Sequence, residues 1–276
     1  MVWFRARSRA DAPRVGDAWA RPARLCLTLA SVSAAAARSA LALCLPRVCA
    51  VCERTLNERE SYIICGVCVA RLSLLGTPRC ERCGHPTVSS PCNWCSNLDG
   101  RVRAARSLCW MTGGTGGEVV HALKYRGWQA LAAPMAERVS RLEGVLRPGY
   151  RNALLAVPLA PARERERGYN QSAVLASELA ARWRIPAWNG ALERTRETPS
   201  QTALTPQQRL VNVADAFSLV AAYRARCRGA HLILVDDVIT TGATMNACAT
   251  AMFAAGARSV AYVTFGRARA PGDAPT

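Results

Sequence analysis

Ile233-Leu234-Val235-Asp236-Asp237-Val238-Ile239-Thr240-Thr241-Gly242-Ala243-Thr244 is the stretch on which the reading of this chain turns. The apolar run from Leu232 to Val235 is too short for a helix and is bounded by turn formers, so it is predicted to be a buried parallel strand. Two acids follow, then a small, hydroxyl-rich turn. From Ala243 to Ala255 small and apolar residues recur without Pro or Gly, which predicts a helix stopped by Gly256. In a doubly wound sheet the crevice beyond a strand's carboxyl end takes ligands, and the next helix offers unpaired N–H groups and a positive dipole end to an anion. Thr240, Thr241, Gly242, Ala243 and Thr244 can therefore converge on one phosphate, with Gly242 allowing close approach. Asp236 and Asp237 cannot share that task, because like charges repel. They are expected to accept sugar hydroxyls or to hold Mg²⁺ through oxygen ligands.

Phosphate, sugar and Mg²⁺ side by side describe a phosphoribosyl diphosphate (PRPP). VDDVITTGAT resembles the PRPP-binding motif of type I phosphoribosyltransferases: apolar residues, two acids, two apolar residues, then a Thr/Ser-Thr/Ser-Gly-small-Thr loop. An ordinary strand–turn–helix with a chance acidic pair is the alternative, and ten matched positions speak against it.

Composition sets the frame. A chain of 276 residues, 50% apolar and 6% aromatic, can bury one or two full cores. Its charge of +17, from 36 basic against 19 acidic residues, suits nucleic acid, anionic lipid or polyphosphate partners. Because Arg is dispersed, an Arg-rich coding bias explains the charge equally well. The first 23 residues lack periodicity and read as a disordered extension. Leu25 to Leu45 is apolar but interrupted by Arg38, so a packed helix is expected there rather than a membrane span, and the protein is expected to be cytoplasmic.

Ten of the thirteen cysteines lie between Cys26 and Cys95, and eight of them form CxxC pairs: Cys49/Cys52, Cys65/Cys68, Cys80/Cys83 and Cys92/Cys95. A CxxC turn presents two thiolates to one tetrahedral metal, and two such turns complete a Cys₄ zinc site. Two consecutive zinc ribbons are expected, resembling a double zinc ribbon; interleaved pairing, disulfides and redox pairs are the alternatives. A fully thiolate-ligated zinc leaves no open position, so its role would be structural. His85 reads as a loop histidine, and Cys26, Cys44, Cys109, Cys227 and Cys248 as packed thiols.

From Arg101 the pattern alternates between strand and helix. Strands are predicted at Arg103–Met111 and Ala153–Val157, helices at Glu118–Tyr125, at Trp128–Leu146 with a break near Pro134, and at Ser172–Trp183. Between the second strand and its helix runs a basic loop, Val157 to Gln171, in which Arg163 and Arg167 can offer forked donors to a diphosphate and Gly168 a tight turn. A third polar segment, Arg194 to Asn212, with a short helix from Pro206, can close over a ligand as a lid or serve as a surface connection. Trp94, Trp110 and Trp128 hint at a stacking platform, but a core role is expected for them.

The order of CxxC knuckles, LKYRG, VPLAPARERERGYNQ, RTRETPSQTALTPQQRLVNVADAF and LILVDDVITTGAT resembles the ComF family over roughly Leu43 to Phe265. The resemblance implies an α/β chain: a type I phosphoribosyltransferase fold, a mostly parallel sheet flanked by helices, at 101–270, with a zinc-ribbon module at 46–100, an extension at 1–45 and a tail at 271–276. It implies that Asp236 and Asp237 contact ribose and Mg²⁺. Thr240, Thr241, Gly242, Ala243 and Thr244 would cradle the 5′-phosphate, with Val238, Ile239 and Lys124 beside them. Arg163, Arg167, Gly168, Tyr169 and Asn170 would line the pyrophosphate loop, and Arg194, Thr198, Gln201, Arg209 and Asn212 the flexible loop. It implies glycosyl transfer at the ribose C1, with Mg²⁺ and basic groups stabilising the leaving diphosphate. No residue identifies the acceptor. The competing expectation is a non-catalytic accessory factor in DNA uptake, binding single-stranded DNA or competence-machinery proteins.

Overall fold

The computed structural model describes residues 46–57, 60, 63–87, 92–111, 113–142, 144–145, 152–195, 216–269 and 273. The chain divides at Arg47/Val48, and every helix and strand named below belongs to the unit from Val48 onward. The expected extension at 1–45 and the helix at Leu25–Leu45 lie outside the described residues, as does the tail apart from Asp273. Among the described residues no helix is long and apolar enough to cross a membrane.

In chain order the elements are α1 (Gly66–Ala70), β1 (Val102–Trp110), α2 (Gly114–Tyr125), α3 (Ala132–Val139), β2 (Asn152–Ala156), α4 (Pro161–Arg167), α5 (Gln171–Trp183), β3 (Leu192–Arg194), β4 (Phe217–Leu219), α6 (Ala221–Cys227), β5 (His231–Ile239), α7 (Ala243–Ala254) and β6 (Ser259–Arg267). Four strands form one parallel sheet in the order β1-β6-β5-β2, and β3 and β4 form a small antiparallel pair. β5 is central and alternates its burial between two cores. Ile233 and Val235 join Val119, Leu123, Met135, Leu175 and Leu179 from α2, α3 and α5 on one face. Leu232 and Leu234 join Met245, Cys248 and Met252 of α7 on the other. Burial on both faces is why this strand reads as a continuous apolar run.

The two cysteine-rich segments divide between the same faces. Cys49, Cys65 and Cys68 pack into the α2/α3/α5 core, whereas Cys83, Trp94 and Leu98 pack into the α7 core. Between them the chain runs along β1, the outer strand of the sheet. The Trp110 N–H donates to Ser73 O at 2.8 Å, the Leu75 N–H to Leu108 O at 3.1 Å, and the Ala105 N–H to Arg82 O at 2.9 Å.

Several sequence expectations need correction. α2 begins at Gly114, not Glu118, because the glycine run lets the helix lie against the strand; a Cβ at Gly116 would stand 3.1 Å from Trp110 O. The helix expected at Trp128–Leu146 is a 3₁₀ turn at Gln129–Leu131 followed by the short α3, and Pro134 causes no break. It occupies the first turn of α3, where its missing N–H has no intrahelical partner to lose. The expected basic loop contains a helix, α4, with Pro161 at its start and Gly168 at φ 79° closing it in the left-handed region. β5 also runs on through both acids to Ile239. Trp94 and Trp110 are buried core residues, and Trp128 is partly buried against the α2/α3 core. His85 is buried too, stacked on Trp94 at 6.3 Å and paired with Asp273 at 2.9 Å, outside both cysteine clusters.

Candidate functional site

A cavity of about 470 Å³ opens beyond the carboxyl ends of β1, β2 and β5. Its floor is the end of β5 and the turn into α7: Asp236, Asp237, Val238, Ile239, Thr240, Gly242, Ala243 and Thr244. Gly242 takes φ 80° as the residue preceding α7 and brings no side chain to cap the helix, which leaves the N-terminal amides of a twelve-residue helix facing the cavity. Thr241 belongs to this turn without lining the cavity, and its Oγ1 accepts from the Ala243 N–H at 3.4 Å.

The acids are held from two sides. Ser172 Oγ donates to Asp236 Oδ1 at 2.7 Å, and the Asp237 N–H donates to the same oxygen at 2.9 Å. Gln171 Nε2 lies 3.4 Å from Asp237 Oδ1, and Lys124 Nζ pairs with Asp237 Oδ2. Asp237 is 3% exposed. Burial, then the adjacent Asp237 carboxylate, pushes the Asp236 carboxyl up to about 8. At Lys124 burial opposes the charge, but the Asp237 carboxylate outweighs it and the ammonium is held above its ordinary range. Lys124 thus matches the Asp237 carboxylate, while burial favours a proton on Asp236. The clustered carboxyl oxygens are the donors a hard divalent cation such as Mg²⁺ takes, and its charge would favour the ionised form of both acids.

Lys124 and Arg194 line the cavity with the β5 residues. Arg163, Arg167, Gly168, Tyr169 and Asn170 do not line it. α4 is exposed, and Arg167 hydrogen-bonds Gln171 Oε1 and lies over the Tyr125 ring at 5.2 Å. Tyr169 is buried with its hydroxyl donated to Leu123 O. Asn170 caps α5, accepting from the Ser172 N–H at 2.9 Å and the Ala173 N–H at 3.4 Å while donating to Val157 O at 2.9 Å. Those two residues aim α5 so that Gln171 and Ser172 reach the acids. Asn170→Ala is expected to lose about 1–2 kcal/mol in urea denaturation. Asn170→Asp, which keeps the capping acceptor, is expected to lose less. Thr198, Gln201, Arg209 and Asn212, and the helix from Pro206, lie outside the described residues.

Sequence reasoning missed Gln171, Ser172, His121 and Tyr125 as cavity residues. A polar pair directly after an Asn cap, on a helix returning from a strand end, was the signal available for the first two. His121 and Tyr125 share a helix face four residues apart, their rings 5.0 Å from one another.

Away from the cavity, the eight cysteines form two sets, Cys49/Cys52/Cys65/Cys68 and Cys80/Cys83/Cys92/Cys95, each with all sulfurs within 4.8 Å of one another. Sγ–Sγ distances of 3.7 Å for Cys52–Cys65, 3.4 Å for Cys80–Cys95 and 3.5 Å for Cys83–Cys92 are too long for disulfides, whose S–S bond is about 2.05 Å. They match the roughly 3.8 Å edge of a tetrahedron with Zn–S bonds of about 2.3 Å. Consecutive pairing is the observed one. At Cys65 burial raises the thiol, but the Cys68 amide and the Arg54 side chain outweigh it and bring it down to about 6. Cys80 is likewise brought to about 7, against burial, by the Cys83 amide and the Cys95 thiol. Each set therefore holds one acidified thiol beside one, Cys68 or Cys83, that burial raises. Cys109, Cys227 and Cys248 are buried and outside both sets.

Arg267, at the end of β6, is fully buried; its guanidinium lies 4.1 Å over the Trp94 ring and donates to Cys83 O at 2.5 Å. Burial opposes its charge, while the Cys83 and Cys92 thiolates favour it. A Zn²⁺ with four thiolates carries net negative charge, so the second set acts as counter-ion to this arginine.

A parallel sheet with an acid pair and hydroxyl-rich turn at the end of its central strand, carrying two Cys₄ sets, defines a phosphoribosyltransferase-fold protein with a double zinc ribbon. Comparison with known proteins supports the double zinc ribbon and gives the family. A family model described as a double zinc ribbon domain matches residues 40–109, so the two sets are its structural zinc sites. DNA utilization protein YhgH of Salmonella typhimurium is 31% identical over 228 residues, covering 79% of this chain and 96% of the relative. Competence protein ComFC of Bacillus subtilis is 26% identical over 208 residues, 73% of this chain and 82% of the relative. The chain belongs to the ComF family. Among solved structures, the glutamine PRPP amidotransferase of B. subtilis, complexed with ADP and GMP, superposes with a TM-score of 0.32 at 19% identity, over 48% of this chain and 26% of its own.

Proposed function

We propose that this protein binds PRPP with Mg²⁺ in the β5 cavity and transfers its phosphoribosyl group to an acceptor in the service of DNA uptake. The observation that carries this reading is the meeting of the Thr240–Thr244 turn with Asp236, Asp237 and Lys124 in one cavity. The turn and the α7 amides take the 5′-phosphate. Asp236 and Asp237 take the ribose hydroxyls and Mg²⁺, which when bound offsets charge on the diphosphate. Lys124, now paired with Asp237, supplies a cation for that diphosphate once the metal takes its place. Arg194 lies at the cavity, where it can meet the diphosphate. Arg163, Arg167, Gly168, Tyr169 and Asn170 support the pyrophosphate side, Tyr169 and Asn170 by orienting α5. The C1–oxygen bond to the diphosphate breaks and a bond from C1 to the acceptor forms. Relatives named for DNA utilization and competence support the tie to DNA uptake, and clustered thiols kept for metal fit a reducing compartment such as the cytoplasm.

A second reading is favoured by the +17 charge: an accessory factor that binds single-stranded DNA without catalysis. Calorimetric titration with PRPP and Mg²⁺, alongside a single-stranded oligonucleotide at rising salt, separates the two. Mg²⁺-dependent PRPP binding supports the first reading. PRPP silence together with salt-sensitive oligonucleotide binding supports the second and removes the first.

A further inference from the structure

The turn that carries two ligands of the second zinc site is fastened to the helix that carries the phosphate loop. Cys92 precedes, and Cys95 lies within, the 3₁₀ turn Asn93–Asn97, which also buries Trp94. From its end Asn97 O accepts from Asn246 Nδ2 at 2.7 Å, and the Asp99 N–H donates to Asn246 Oδ1 at 3.2 Å. The Tyr262 hydroxyl, on buried β6, donates to the same Oδ1 at 2.9 Å. Asn246 lies in the first turn of α7, its own N–H donating to Gly242 O at 2.8 Å. Asn97 O also sits where it would be 3.3 Å from a Cβ at Gly242, so the ribbon turn abuts the backbone of the loop itself. Leu98 is buried in the α7 core between these contacts.

We propose that Asn246 is a positioning residue that couples the two sites: zinc at Cys80/Cys83/Cys92/Cys95 holds the Asn93–Asp99 segment, and through Asn246 that segment holds the phosphate turn in its binding geometry. The coupling rests on the reading that PRPP binds there, and by linkage it is reciprocal: ligand at the turn must slow the loss of zinc from the second cluster and leave the first alone. The first cluster packs on the opposite face of the sheet and has no such contact among the described residues.

The test is zinc release from the full-length protein to a colorimetric chelator, with and without PRPP and Mg²⁺, in the wild type and Asn246→Ala. Cys52→Ser, which removes an exposed ligand of the first cluster, assigns the phase belonging to the second. PRPP is expected to slow that phase by about fivefold, the lower end of ordinary coupling between sites. Asn246→Ala is expected to abolish the slowing and to weaken PRPP binding by a similar factor with both zinc ions retained. Asn246→Asp, which keeps the acceptor for Asp99 and Tyr262 but loses the donor to Asn97, serves if the alanine variant does not fold. Should wild type bind PRPP with no change in zinc release, the coupling is wrong. Should it fail to bind PRPP, the function proposed above is wrong instead. The structural link from the second cluster to the turn through Asn246 then stands if Asn246→Ala alone speeds release from that cluster, and falls if it does not.

Discussion

Cys83→Ser is expected to leave one zinc ion per chain in place of two and to lower the thermal transition of the whole chain by about 10 °C. The size follows from what Cys83 touches. It is fully buried in the α7 core, and its carbonyl accepts from the buried Arg267 guanidinium. With the metal gone the remaining thiols take up protons, and Arg267 loses the thiolate charge that favours it most, keeping only the weaker influence of the Asp273 carboxylate. A buried charge left without its partner costs about 3–5 kcal/mol, and each kcal/mol lowers the transition of a chain of this size by about 2–4 °C. Zinc analysis and calorimetric melting of the same preparation check the expectation. A protein that lost one zinc and melted unchanged would mean that the second ribbon is a detachable appendage.

The second large effect is expected at the acids. Asp236→Asn with Asp237→Asn should reduce Mg²⁺-dependent PRPP affinity by at least about 100-fold, since each charged hydrogen-bonding group removed is worth about 1.5–3 kcal/mol. The variants should differ in stability when made singly. Asp237→Asn strips the carboxylate from a Lys124 that is 23% exposed, leaving a half-buried ammonium unpaired. Asp236→Asn removes a carboxyl that burial already drives toward its neutral form, and should be milder. Titration calorimetry together with urea denaturation checks both expectations. Equal PRPP affinity in wild type and the double variant would place the ligand elsewhere.

What the sequence disclosed and what it concealed differ in range. β5, its turn and α7 are contiguous, so apolar run, acids, hydroxyls and helix stop could be read in order. The CxxC spacing likewise carried the consecutive cysteine sets, because ligand pairs on one turn are a local matter. The basic stretch was misjudged although its signals were local as well: Pro161 and Gly168 bracket a helix, and the alternating Arg and Glu between them drew attention to charge instead. Tyr169 and Asn170 kept their place in the motif, but their side chains turn to Leu123 O and Val157 O, contacts that only packing creates. Asn246 was invisible, since its partner Asn97 is 149 residues away. So was the division of the two ribbons between opposite faces of the sheet.

The course of the chain along β1 has a consequence for solubility. β1 is a nine-residue, largely buried strand at the margin of the sheet, and the segments around Ser73–Leu75 and Arg82 take up its outward hydrogen-bonding groups. The opposite margin is covered on β2 by Pro186 and Trp188. A chain shortened to begin at Arg101 would keep every residue of the cavity yet present an open, apolar strand edge, the kind of surface on which proteins pair with their own copies and aggregate. The ribbons and the chain between them thus close that border of the sheet.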